Sequence, residues 1–97
     1  MVLINIRRRD MNDITVKYQK TAIVLLSNFR QAYNDAPTRS GYSKLTGSYA
    51  TTKNDLLRDF KANWAMHQAC YEVESGSNKK LMEIKLPEVQ DVNPLDD

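Results

Sequence analysis

Two apolar series at helical spacing, separated by a segment that can extend neither, constrain this chain more than any other feature. Ile14, Tyr18, Ala22, Leu25, Leu26, Phe29 and Tyr33 form one series, and Leu56, Leu57, Phe60, Trp64, His67 and Tyr71 the other. Steps of three and four place each series on one face of a helix, so each predicts an amphipathic helix with a single face to bury. Two such faces in one short chain satisfy one another most simply as an antiparallel pair.

The ends of the two helices carry different signals. The first is predicted over residues 13–35, because Asn12 or Asp13 can serve as N-cap and Pro37 disfavours helical geometry at Ala36. The β-branched residues Ile14, Thr15, Val16, Thr21, Ile23 and Val24 lose rotamer freedom in a helix and leave its start open as far as Lys20. The second is predicted over residues 53–70. Thr52-Lys53-Asn54-Asp55 reads as a capping box with Asp in place of the usual Glu.

The flanks read as strands. Val2, Ile4 and Ile6 alternate with Leu3, Asn5 and Arg7, which predicts a short N-terminal strand, although Met11 would serve as a second translation start and make residues 1–10 an extension. Residues 71–74 and 80–86 also alternate, on either side of the turn-rich Ser75-Gly76-Ser77-Asn78. A β-hairpin over 71–86 follows, or else a helix reaching Glu74 with only the last strand formed. Residues 87–97 begin at Pro87 and contain Glu88, Asp91, Asp96 and Asp97 without a basic residue, which reads as a flexible acidic tail. The predicted fold class is mainly α with minor β, a small α+β domain over residues 1–86.

Residues 36–50, APTRSGYSKLTGSYA, show no apolar period and contain Pro37, Gly41 and Gly47. Loops of that length are uncommon in a small domain unless they have a purpose. In one reading Tyr42, Leu45 and Tyr49 fold back to seal the helix ends. In the other, Tyr42 and Tyr49 with Arg39 and Lys44 form a partner-binding surface, since aromatic and basic side chains dominate interface energetics.

Charge is unevenly distributed. Residues 1–61 hold eleven Lys/Arg against five Asp/Glu, a balance of +6, whereas residues 62–97 hold three against seven, a balance of −4. Such polarity draws an anionic partner to one end or pairs the ends of two copies. Arg7, Arg8 and Arg9, extended by Lys17 and Lys20, are the candidate phosphate contacts of a nucleic-acid-binding alternative. A strand followed by a helix is the opening of ribbon-helix-helix regulators, but the 15-residue loop stands where that pattern needs a short turn, so the family is not assigned.

The chemical inventory points away from catalysis. His67 and Cys70 are the only histidine and cysteine, with no third or fourth soft ligand to complete a metal site, and His67 is expected to be a partly buried structural residue. Asp55 and Asp59 sit one helical turn apart on the exposed side near Arg58 and Lys61; Glu72 and Glu74 would share a strand face. Neither pair has apolar surroundings in sequence that would raise a carboxyl pKa for acid catalysis. No Gly-rich phosphate loop, dinucleotide fingerprint or calcium loop is present, and no cofactor is expected.

A single cysteine forms no internal disulfide, which favours a reducing, cytoplasmic setting, and the longest apolar run after the opening residues, Ala22 to Leu26, is far too short for a membrane span. A helix pair alone buries little apolar area, so the remainder is expected to be covered by the strands, by a second copy or by a partner protein, with Ala62 and Met66 suited to such a contact. The expected function is a non-catalytic interaction module that binds and modulates, or inhibits, a macromolecular partner, as small accessory proteins of phages and plasmids do.

Overall fold

The structure, a computed structural model, describes the backbone of residues 2–90 and the side chains of residues 12–90. Its elements are helix α1 (Val2–Asp35), strands β1 (Tyr42–Ser43) and β2 (Ser48–Tyr49), and helix α2 (Lys53–Ser75). The two helices pack on each other, and β1 and β2 form a two-stranded antiparallel sheet, so the fold is a mainly helical pair with minor β. The helices run antiparallel: Thr15 meets Tyr71 at one end, hydroxyl to hydroxyl at 3.0 Å, and Tyr33 meets Lys53 at the other.

Both predicted faces are the faces that pack. Leu26, Phe29, Leu57 and Phe60 form one buried cluster, with the Phe29 and Phe60 rings stacked 4.4 Å apart. Ala22, Tyr71 and Leu81 form a second, lined by Ile14 and Tyr18, and Trp64 touches both. Ala22 is fully buried because its methyl group lets the Tyr71 ring and the Leu81 side chain close over α1. Burying each large apolar side chain is worth roughly 1.5–3 kcal/mol, so these two clusters supply most of what holds the pair.

The N-terminal strand expected at residues 2–6 is helix, and α1 runs unbroken from Val2. Two reasons act together. There is no Gly or Pro before Pro37 to stop a helix, and extending one already nucleated adds a hydrogen bond for each residue fixed. A strand would need a ladder partner, which no segment among the described residues offers. Helical penalties for β-branched residues, at most about 0.7 kcal/mol each, are too small to reverse this.

The hairpin expected over 71–86 is also absent. α2 continues to Ser75 because Tyr71 belongs to the same helical face as Trp64 and His67 and is buried there against Ala22, while Val73, its alternate, is exposed. Gly76 stops the helix in the left-handed conformation, φ 73°, and donates its N–H to the Glu72 carbonyl at 2.8 Å.

Residues 77–90 then run back along the groove between the helices as an extended strap. Its alternation holds over residues 82–86, with Met82, Ile84 and Leu86 inward and Glu83 and Lys85 outward, but breaks at Leu81, which is out of phase and is nonetheless buried. The strap has no ladder. Side-chain amides take that place, with Gln68 accepting from Leu81 N–H at 2.8 Å and donating to the Lys79 carbonyl at 2.9 Å. Asn54 repeats the device at the far end, accepting from Gln90 N–H at 2.7 Å and donating to its carbonyl at 3.0 Å. From Gln68 to Asn54 is ~21 Å of helix axis, which the strap covers in the nine steps from Leu81 to Gln90, an advance of about 2.3 Å per residue and so short of the ~3.3 Å of a straight strand. The first residues of the expected tail, 87–90, are therefore held against the helices, and residues 91–97 lie outside the described residues.

The end of the pair that carries the loop is closed by capping. Thr52 accepts from Asp55 N–H at 3.2 Å and donates its own N–H to the Asp55 carboxylate at 3.1 Å, completing the predicted box. These donors hold the Asp55 carboxyl below its ordinary pKa, the Thr52 backbone N–H first among them. Lys53 serves the other helix. No basic residue stands in the last turn of α1, and the Lys53 ammonium instead donates to the carbonyls of Tyr33 and Ala36 and lies 4.9 Å from the Tyr33 ring centre.

Candidate functional site

The loop between the helices holds three large hydrophobic side chains out in solvent, Tyr42, Leu45 and Tyr49, the two aromatic members of the exposed apolar set among them. After Pro37 the chain rises into a short finger, residues 41–50. Tyr42 pairs with Tyr49 and Ser43 with Ser48, Gly41 accepts from Ala50 N–H at 3.0 Å, and Ser40 Oγ donates to the Ala50 carbonyl at 3.2 Å. The tip turns through Lys44-Leu45-Thr46-Gly47, closed by Gly47 N–H donating to the Ser43 carbonyl at 2.8 Å. Gly47 sits at φ 70°, a conformation that L side chains adopt only at a cost, so the glycine makes the turn possible.

Tyr42 and Tyr49 project from the same side of this ribbon as a directly opposed pair, their rings edge to face at 5.2 Å. They are 56% and 70% exposed, and Leu45 at the tip is 95% exposed. Neither strand packs on a helix among the described residues, so these side chains do not seal the helix ends as the first of the two loop readings expected. Arg39 and Lys44 are exposed on the same segment and have no ion-pair partner among the described residues. Of the four residues proposed from sequence for partner binding, Tyr42, Lys44 and Tyr49 thus lie on the finger, where the two tyrosines touch, and Arg39 precedes it in the chain. Leu45, read from sequence only as a residue that folds inward, is the finger's apolar apex.

His67, Asp55, Glu72 and Glu74, among the residues weighed for chemistry, make structural contacts. His67 is half-buried, with Nε2 2.9 Å from the Tyr18 carbonyl and its ring against the Tyr18 ring. Cys70 is exposed. Asp55 caps α2 and pairs with Arg58 at 3.2 Å; Glu72 accepts from Gln68 at 2.9 Å. Glu74 accepts from the Tyr18 hydroxyl and lies 3.8 Å from the Lys17 ammonium. The hydrogen bond to Glu74, aided by desolvation, pushes the Tyr18 pKa up to about 12. No cluster of three or more His, Cys, Asp or Glu capable of holding a metal occurs among the described residues. A cleft of about 320 Å³ between α2 and the strap is floored by Trp64, Met82 and Ile84, with Glu83 the one carboxylate in its lining.

Comparison with protein-family models, curated proteins and solved structures finds no match. The site rests on geometry and chemistry alone.

The basic residues of the nucleic-acid alternative are placed differently from expectation. Arg7, Arg8 and Arg9 occupy consecutive positions of α1, about 100° apart around a helix axis, instead of the edge of a strand. Lys17 is drawn towards Glu74, and Lys20 is exposed. The exposed apolar residues Val16, Ile23 and Val24 share this side of α1, a feature that spacing alone misses because the helical series it traces is the buried one. Ala62 and Met66 on α2 are exposed, as their position opposite the core requires. No helix among the described residues is long and apolar enough to cross a membrane.

Proposed function

We propose that this chain is a non-catalytic interaction module that binds another protein through the finger and modulates it. One observation carries the reading: a two-stranded ribbon that contributes nothing to the core holds two tyrosines and a leucine out in solvent. Stability does not account for the arrangement, because a hairpin with two residues per strand is marginal by itself and these side chains bury little in the folded chain. Binding does account for it. Tyrosine is a rigid, amphipathic anchor whose ordering costs little entropy, and the edge-to-face contact holds the pair ready. Arg39 and Lys44, without a carboxylate between Asp35 and Asp55, favour a partner surface with an apolar recess bordered by acidic groups.

The test is capture from a nuclease-treated lysate with the native chain and with a Tyr42→Ser/Tyr49→Ser variant. The native chain is expected to retain a stoichiometric protein that the variant loses, while the melting temperature changes little, since both rings are largely exposed. Equal retention by the variant overturns the reading.

The alternative is a nucleic-acid-binding regulator, supported by the position of Arg7–Arg9 in α1, which continues beyond the stretch that pairs with α2. It requires that nuclease abolish capture and that substituting the three arginines flatten the salt dependence, by a slope of about 0.9 for each phosphate of duplex DNA that the variant leaves unneutralised.

A further inference from the structure

Leu81 and Gln90 are clamped to α2, but the strap between them holds more chain than its path needs. Nine straight-strand steps would cover ~30 Å, against ~21 Å of helix between Gln68 and Asn54. That slack accommodates the cleft of about 320 Å³ between strap and helix. On the helix side Lys61, Trp64, Ala65 and Gln68 form one stripe ~10 Å long, and the small Ala65 methyl leaves room between the longer side chains around it. On the strap side stand Met82, Ile84 and Leu86. These three and Trp64 are each half-buried, packing on the core with one side and leaving the other to the cleft. The polar groups at the edge are not equivalent. Gln68 is engaged with the strap backbone at Leu81 and Lys79, and Lys80 lies 3.7 Å from Glu83. Lys61 has no ion-pair partner among the described residues.

We propose that the cleft is a binding site for a small aromatic acid, its rings against the Trp64 indole and the Met82 thioether and its carboxylate at the Lys61 ammonium. Size, surface and charge agree on this ligand class. A volume of about 320 Å³ lies at the small end of ligand pockets, which suits a body of one or two fused rings. Indole faces and thioethers both favour flat aromatic neighbours, so the opposing walls of the cleft match the two faces of such a body. An unpaired ammonium at the rim selects a negative charge over none and repels a positive one. The finger contributes no residue to the cleft, so this inference and the docking reading stand or fall separately.

The probe is naphthoate, titrated into the isotope-enriched full chain. Trp64 is the only tryptophan, so its indole N–H gives a single resonance that reports the cleft directly. A saturable shift of that resonance is expected, with a Kd on the order of 0.1–1 mM for a ligand of this size. The neutral isostere naphthylmethanol is expected to bind about two- to fivefold more weakly, the worth of one exposed charge contact, and the cationic naphthylmethylamine more weakly again. About 0.5 M salt is expected to remove the preference for the acid. Lys61→Met is expected to equalise acid and alcohol while leaving the alcohol's affinity unchanged. Ala65→Leu adds bulk on exposed helix surface, away from the core, and is expected to abolish binding of both with the melting temperature preserved. Ala62→Leu, outside the cleft, is expected to change neither. Absence of a saturable shift up to about 5 mM, several times the expected Kd, overturns the proposal. So does equal affinity for acid and alcohol in the native chain, survival of the acid preference in Lys61→Met, or undiminished binding by a folded Ala65→Leu chain.

Discussion

Replacing Leu81 by alanine tests whether the strap is part of the cooperative fold. Leu81 is 5% exposed and packs on Ala22 and Tyr71, so the substitution removes a buried isobutyl group from the smaller cluster. Leu→Ala changes in cores cost 2–5 kcal/mol, and a site covered by a single extended segment can partly collapse, which puts the expected loss at about 2–3 kcal/mol. With an unfolding entropy near 2.1 cal/mol/K per residue, a chain of 97 residues loses roughly 5 °C of Tm for each kcal/mol. The expected fall is therefore about 10–15 °C, read by circular dichroism, with a matching shift of the urea midpoint. Val73→Ala on exposed helix surface serves as the control and should move stability by no more than about 0.5 kcal/mol. A fall below about 3 °C for Leu81→Ala, with an unchanged urea slope, would refute the argument that the strap completes the core.

Lys53→Met keeps the aliphatic stem but removes the donor to the Tyr33 and Ala36 carbonyls, so a loss of about 1–2 kcal/mol is expected, with faster hydrogen exchange in the last turn of α1. A melting temperature within about 2 °C of the native value would show that the bridge is not a cap. Tyr18 has a pKa raised from 10.0 to about 12 in the folded chain, so its contribution is fully present below pH 10 and is lost as pH rises through 12. Melting temperatures from pH 8 to 12 should fall more steeply for the native chain than for Tyr18→Phe above pH 10, and parallel curves would contradict the Glu74 contact as its cause.

Spacing carried the helices well. Every residue assigned from sequence to the two apolar faces is buried or half-buried, because a helical period of 3.6 is a local property that two facing stripes satisfy together. Thr52 and Asp55 were legible for the same reason, as both hydrogen bonds of the box lie within four residues. Alternation was less specific. It matches the inward side chains of Met82, Ile84 and Leu86 but not Leu81, which is out of phase and buried, and an extended strap in a groove and a half-buried strand produce similar patterns that only a neighbouring ladder separates. At residues 2–6 the alternation lost to continuation of α1. Among the site residues, the types and clustering of Arg39, Tyr42, Lys44 and Tyr49 could be read in advance; their exposure could not, since it depends on the finger finding no helix to lie against.

The sequence by itself determined two amphipathic helices, their caps and a break between them rich in tyrosine and positive charge, because each of these arises from interactions within a few residues. Only the tertiary structure decided that Gln68 and Asn54 hold the strap, that Lys53 caps the helix preceding its own, and that Gln90 is bound to Asn54 and Tyr33 at the loop-bearing end of the helix pair. Those contacts join residues 13 to 57 positions apart, and whether they form depends on the simultaneous burial of both helical faces, which no local pattern encodes.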